Sequence, residues 1–142
     1  MGVLDESGME PVQNRIEKLP FMDWRQLPAV IAGLDINLMP LENSLFHWCK
    51  SENKWTEAAL VKVPSVMSRN CEMEYVVENG KDGWMCTTKE EWVNALEALV
   101  TDEKARKAMG EAAHQKVMEH YLTVNTGKDA MEELLCSESY TK

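Results

Sequence analysis

Short apolar runs that alternate with helical periods between Ile16 and Leu99 predict an α/β domain, Rossmann-like, with a parallel sheet and helices on both faces. Three observations carry that prediction. Asp35 to Leu41 and Pro64 to Ser68 are apolar stretches of strand length. A helical segment, Ser51 to Leu60, separates them, as a crossover between parallel strands requires. Thr88-x-x-Glu91 then opens a further helix with a capping box, and Trp92, Leu96 and Leu99 follow at i, i+4 and i+7.

In chain order, Met1 to Asn14 holds Gly2, Gly8 and Pro11 among acidic residues and shows no period, so it reads as a leader or a cut loop. Residues 15–136 form the domain and 137–142 a tail. Arg15 to Phe21 alternates enough for a short strand closed by Pro20. Leu27, Ile31 and Leu34 recur at helical spacing, with Pro28 in the first turn and Gly33 as the stop. Asp35 to Leu41 is the next strand, and it runs into a loop of about ten residues, longer than the ~2 to 6 typical between strand and helix. Pro64 to Ser68 reads as a strand, Cys71 to Glu78 as a helix stopped by Asn79-Gly80, and Trp84 to Cys86 as a strand reached through Asp82-Gly83. Asp102 caps a helix running to about Tyr121, and a last helical segment spans Thr126 to Cys136.

The composition excludes several classes. A chain of 142 residues, 44% hydrophobic and 27% charged, is one domain's worth of ordinary globular sequence. A net charge of -9 argues against binding duplex nucleic acid, which needs a cationic footprint, but permits a local basic pocket. Cys49, Cys71, Cys86 and Cys136 are scattered with no CxxC pair, which fits a reducing cytoplasm and neither a zinc site nor a disulfide framework. His114 and His120 fall on opposed helical faces and do not make a metal pair with each other or with His47. No apolar run reaches the ~20 residues that span a bilayer, which leaves peripheral membrane contact open.

Lys50 to Leu60 is the stretch with the most chemistry. At about 100° per residue Lys50, Lys54 and Glu57 fall within roughly 60° of one another on a helix. Ser51 reads as the N-cap, and the free backbone N–H groups beyond it would add to the two lysines as an anion site. A phosphate or diphosphate between the lysines would relieve their repulsion; the competing reading is a solvated helix start with Trp55 and Leu60 packed inward. Trp48, in the long loop beside Lys50, is the tryptophan best placed to meet a ligand, whereas the other four read as packing.

Four ordered motifs are familiar: Asp35-Ile36-Asn37-Leu38-Met39-Pro40-Leu41, Lys50-Ser51-x-x-Lys54-x-x-Glu57-Ala58-Ala59, Val63-Pro64-Ser65-Val66-x-Ser68, and Glu74-x-Val76-x-x-Asn79-Gly80-x-x-Gly83. Together they resemble the carboxyl-terminal domain of retaining, nucleotide-sugar-dependent glycosyltransferases of the GT-B fold, group 1 (family 4) type. The resemblance implies that Glu57, matching the second glutamate of an E-x7-E signature, holds the donor's ribose hydroxyls. It puts Lys50, Ser51 and Lys54 near the donor diphosphate and the turn at Pro20 and Phe21 near the nucleobase, with Phe21 as a core residue the competing reading. It also implies no cofactor and no obligatory metal, because protein cations serve the diphosphate.

Two departures qualify the likeness. Cys49 stands eight positions before Glu57, where the family carries an acidic residue. The family's amino-terminal acceptor domain and the opening strands of this domain are missing, so the sheet is expected to be truncated at its amino-terminal strands, with an exposed edge suited to dimerisation. The expected function is the donor-binding part of a glycosyltransferase, inactive without its acceptor domain. The alternative is a non-catalytic α/β scaffold or regulatory interaction domain; a receiver-like module would need a Lys-Pro dipeptide, and the chain has none.

Overall fold

A computed structural model describes residues 9–42, 44–124 and 126–127. Three short strands form one sheet: β1 (Asn37–Met39), β2 (Ser65–Ser68) and β3 (Trp84–Cys86), in the spatial order β1-β2-β3 and parallel throughout. The helices are α1 (Leu27–Ile31), α2 (Leu45–Trp48), α3 (Asn53–Leu60), α4 (Cys71–Val76), α5 (Lys89–Thr101) and α6 (Glu103–His120). This is the α/β, Rossmann-like architecture expected from the alternating pattern.

Strand pleating sorts side chains onto two faces. Met39, Met67 and Met85 stand in one row across the sheet and pack with Trp55 and Ala59 of α3, Met73 of α4, and Ala113 and Val117 of α6. Val66 and Cys86 point the other way, onto Ala95 and Leu99 of α5 and Met109 of α6. Helices therefore cover both faces. Methionine suits the first face because an unbranched thioether fills the irregular gap between a sheet and three helices.

Local chemistry explains the boundaries. The Thr88 hydroxyl accepts from Glu91 N while the Glu91 carboxylate accepts from Thr88 N, the reciprocal cap that starts α5. Asp102 ends α5 and caps α6 through Lys104 N and Ala105 N, so two helices meet at one residue. Gly80, at φ 83°, is the left-handed glycine of the turn before β3. Lys62, at φ 63°, turns the chain out of α3 without a glycine.

Three expectations are corrected. Arg15 to Phe21 is not a strand: the alternation there meets no partner strand among the described residues, Pro20 lacks a donor, and Phe21 is 94% exposed rather than in the core. Part of the supposed leader is ordered instead, as a 3-10 helix over Glu10–Arg15 with Pro11 in its first turn. Ser51 is not the N-cap of α3. The first turn closes on Glu52, whose carbonyl accepts from Thr56 N (3.0 Å) and Thr56 Oγ1 (3.3 Å), so the helix begins at Asn53 and Lys50 lies outside it. The segments read as the first part of the leader, most of a last helix (Thr126 to Cys136) and the tail lie outside the described residues.

Among the described residues β1 pairs on one side only, with β2, and Leu38 on it is 50% exposed. β1 is therefore an edge strand of the sheet among the described residues.

Candidate functional site

The parallel arrangement brings three strand ends to one rim, and ligands of open α/β sheets bind outside that rim. After β1 the chain continues through Leu41, whose N–H donates to Ser68 Oγ (2.9 Å) and whose carbonyl accepts from the same hydroxyl (3.2 Å). One serine at the end of β2 thereby fixes the start of the loop. After β2, Arg69 N donates to Cys86 O (3.0 Å), extending the β2–β3 ladder by one step, and Asn70 then caps α4.

Between these ends lies an open cleft of about 330 Å³, at the small end of the ~300 to 1,000 Å³ usual for small-molecule sites. Its walls come from Leu41 and Glu42 after β1, His47 and Trp48 of α2, Ser68 to Cys71 and Glu74 around the end of β2, and Cys86 and Thr87 at the end of β3. Ser44 caps the single turn of α2 and its Oγ lies 2.7 Å from His47 Nδ1, which holds the imidazole against the cleft. Arg69 Nη1 donates to Glu74 Oε1 (3.0 Å), leaving the other guanidinium donors of a half-exposed side chain available.

The carboxylate of Glu91 sits just behind Thr87 and Thr88, held below the usual carboxylate range by hydrogen bonds from their two backbone N–H groups. Burial pushes the Cys86 thiol up, the nearby Glu91 charge adds to this, and Arg69 opposes it. A thiol so placed is a poor nucleophile. The cleft accordingly offers hydrogen bonding, one aromatic edge and mixed charge, which suits binding and positioning.

None of the five residues singled out from sequence lines this cleft. Lys50, Ser51, Lys54, Glu57 and Phe21 are all exposed. Lys54 and Glu57 share the outer face of α3, opposite the buried Trp55, Ala58 and Ala59, while Lys50 places its ammonium 4.3 Å from the centre of the Phe46 ring. Trp48 does join the wall, two residues before Lys50. Four of the lining residues that sequence reasoning missed share a signal: Leu41, Arg69, Asn70 and Thr87 each lie one or two residues beyond the end of a strand.

A model of the family described as glycosyl transferases group 1 matches residues 4–102 of the 142. The chain belongs to that family. The match takes in every residue lining the cleft and all five residues singled out from sequence, and it ends at the start of α6.

Among solved structures, this group 1 chain is similar to the C-terminal domain of a glycosyl transferase group 1 family protein (LpcC) from Francisella tularensis, at 18% identity and a TM-score of 0.55 over 72% of its length. That likeness bears on the fold. The chain spans about half of the matched structure, 52%. No curated protein matches it. Among the described residues, no helix of this transferase domain is long and apolar enough to cross a membrane.

Proposed function

We propose that this chain is the donor-binding part of a glycosyltransferase that takes a nucleotide-diphosphate sugar and passes the sugar to an acceptor held by another domain. The observation that carries the reading is the cleft at the carboxyl ends of β1, β2 and β3 in a chain of the group 1 family. In this reading the glycosyl end of the donor occupies the cleft and the diphosphate runs toward the start of α3. Lys50, Ser51 and Lys54 meet the diphosphate, and the Glu57 carboxylate accepts from the two ribose hydroxyls. Phe21 and the turn before it lie toward the nucleobase. Lysine ammonium groups balance the charge that grows on the departing nucleoside diphosphate, so the proposal needs no metal and no cofactor.

The chain spans about half of the solved domain it resembles. That structure is itself a C-terminal domain, and on that ground the proposal assigns acceptor binding to another domain and expects no sugar transfer by these 142 residues alone. A cytoplasmic location belongs to the same proposal, supported by the free thiols of Cys49, Cys71 and Cys86.

The test is calorimetric titration of the chain with uridine and guanosine diphosphates. One of them is expected to bind, and Glu57→Ala is expected to weaken it about tenfold, the loss of a charge-assisted hydrogen bond. Equal binding by both forms would remove Glu57 from the site. Binding of neither nucleotide would leave an α/β scaffold without a donor.

A further inference from the structure

His47 of α2 brings an unused ring nitrogen to the cleft. Ser44 Oγ accepts from His47 N and lies 2.7 Å from His47 Nδ1. The hydroxyl has one proton of its own to place and Nδ1 is the acceptor it meets, which assigns the proton of the neutral ring to Nε2. Ser44 serves the charged ring as well, because the same Oγ can accept from Nδ1 once both nitrogens are protonated. Nε2 makes no hydrogen bond among the described residues and is not one of their buried, unpaired polar atoms, so on this half-buried side chain it reaches open space. Ser44 and the Phe46 ring, T-shaped against the imidazole at 5.3 Å, steady it where it lines the cleft.

The titratable groups that share the cleft wall are Glu42 after β1, Arg69, Cys71 and Glu74 around the start of α4, and Cys86 at the end of β3, with Glu91 behind Thr87. Arg69 is paired with Glu74, and burial pushes the Cys86 thiol up, so Glu42 is the wall carboxylate with no ion pair among the described residues. Lys50, whose N–H donates to His47 O at 3.2 Å, holds its ammonium over Phe46 outside the cleft. With a neutral imidazole the wall is short of positive charge for a phosphate; with an imidazolium the Glu42 charge is balanced. A phosphoryl group set against a histidine nitrogen favours the protonated ring in turn.

We propose that donor binding by this chain is proton-linked through His47: Nε2 donates to an oxygen of the phosphoryl group next to the sugar, and the arriving donor draws a proton onto the imidazole. The inference rests on the donor-binding reading above and adds to it a residue and a dependence on pH. The bound state holds more protons than the free one, so affinity rises as pH falls.

Calorimetric titration with UDP-glucose and GDP-mannose tests this, because the diphosphate of a nucleotide sugar gains no proton near neutrality and any linkage belongs to the protein. At least one of the two is expected to bind about fivefold or more tightly at about pH 6 than at about pH 8, the span across which an imidazole gains its proton. Titrations in buffers of different ionisation heat should show uptake of part of a proton per donor bound. His47→Gln, neutral throughout, and His47→Lys, charged throughout, are both expected to lose the uptake and to bring the two affinities within about twofold, the lysine variant being the tighter binder at about pH 8. Circular dichroism checks that each variant is folded. A pH ratio or proton uptake that is absent from the native chain, or kept in either variant, would overturn the inference while leaving donor binding intact. Loss of all binding in both folded variants would make His47 a structural residue and overturn it too; no binding of either nucleotide sugar by the native chain at either pH would overturn both readings.

Discussion

Replacing Lys116 with methionine tests what holds the cleft-bearing sheet to its helices. Asp82 is 2% exposed, in the turn that leads into β3. Its Oδ1 accepts from Glu78 N (2.8 Å), its Oδ2 from Lys116 Nζ (2.5 Å), and its main-chain oxygen from Trp55 Nε1 (2.9 Å). The same ammonium donates to Val76 O at 2.7 Å. One lysine of α6 thus ties the end of α4, the approach to β3 and, through Asp82, the fully buried Trp55 of α3. Methionine retains most of the aliphatic stem and deletes the charge, stranding a buried carboxylate with a single remaining hydrogen bond, from the backbone N–H of Glu78.

Breaking a buried pair by removing one partner costs ~3 to 5 kcal/mol, whereas an exposed pair is worth ~0 to 1 kcal/mol. Lys116 keeps 29% of its side chain exposed against 3% for Asp82, so water screens one end and the loss falls near the lower bound, about 3 kcal/mol. Against a total of ~5 to 15 kcal/mol that is a large share, and with a urea slope of ~1 to 3 kcal/mol/M the midpoint should fall by about 1 to 3 M. Urea unfolding followed by far-ultraviolet circular dichroism reads the change. Asp82→Asn keeps the acceptor for Glu78 N without the charge, so the double variant should be less destabilised than the two singles added together. A loss below about 1 kcal/mol for Lys116→Met, or strict additivity in the cycle, would refute the reasoning.

Two further outcomes are expected. Gly110→Ala would set a Cβ 2.8 Å from the carbonyl carbon of Lys62 and nearer still to its oxygen, so overpacking worth ~1 to 3 kcal/mol should outweigh the ~1 kcal/mol that alanine gains over glycine in a helix; a raised melting temperature would contradict this. Backbone hydrogen bonds from Thr87 and Thr88 hold the Glu91 pKa below its model-compound value of 4.5. A depressed carboxylate stabilises fully above the unfolded value and loses that contribution as pH falls through the folded one, so melting temperatures should drop more steeply below about pH 4.5 in the native chain than in Glu91→Gln. Parallel curves would sink that argument.

The parts of the fold that were legible are those written in local chemistry. The Thr88 and Glu91 box, the Asp102 cap, the turn at Gly80 and the strands around Leu38, Val66 and Met85 are each specified within a few residues. Arg15 to Phe21 misled because alternation marks a strand only if the fold lays the segment alongside a sheet edge, and that condition is tertiary. Ser51 misled for a related reason: Ser51 and Glu52 were both available to close the first turn, and the bond from Thr56 to Glu52 decided it. The cleft was illegible as a set because Leu41, Asn70 and Thr87 lie on three separate strand ends, united only by parallel pairing.

The loop from Pro40 to Glu52 joins the two halves of the functional reading. It leaves β1 at the cleft, builds one wall with His47 and Trp48 of α2, and delivers Lys50 to the approach of α3. Lys50 rests over the exposed Phe46 ring, a contact worth ~0.5 to 1 kcal/mol at such a site. In the proposed binding mode a diphosphate exchanges with that ring for the cation, one weak surface contact for another, since an exposed ion pair is worth ~0 to 1 kcal/mol. Lys54 needs no such release, being exposed on the first turn of α3. The lysines that sequence reasoning chose and the cleft that it missed are therefore neighbours along one segment, which is why the proposed donor would use both.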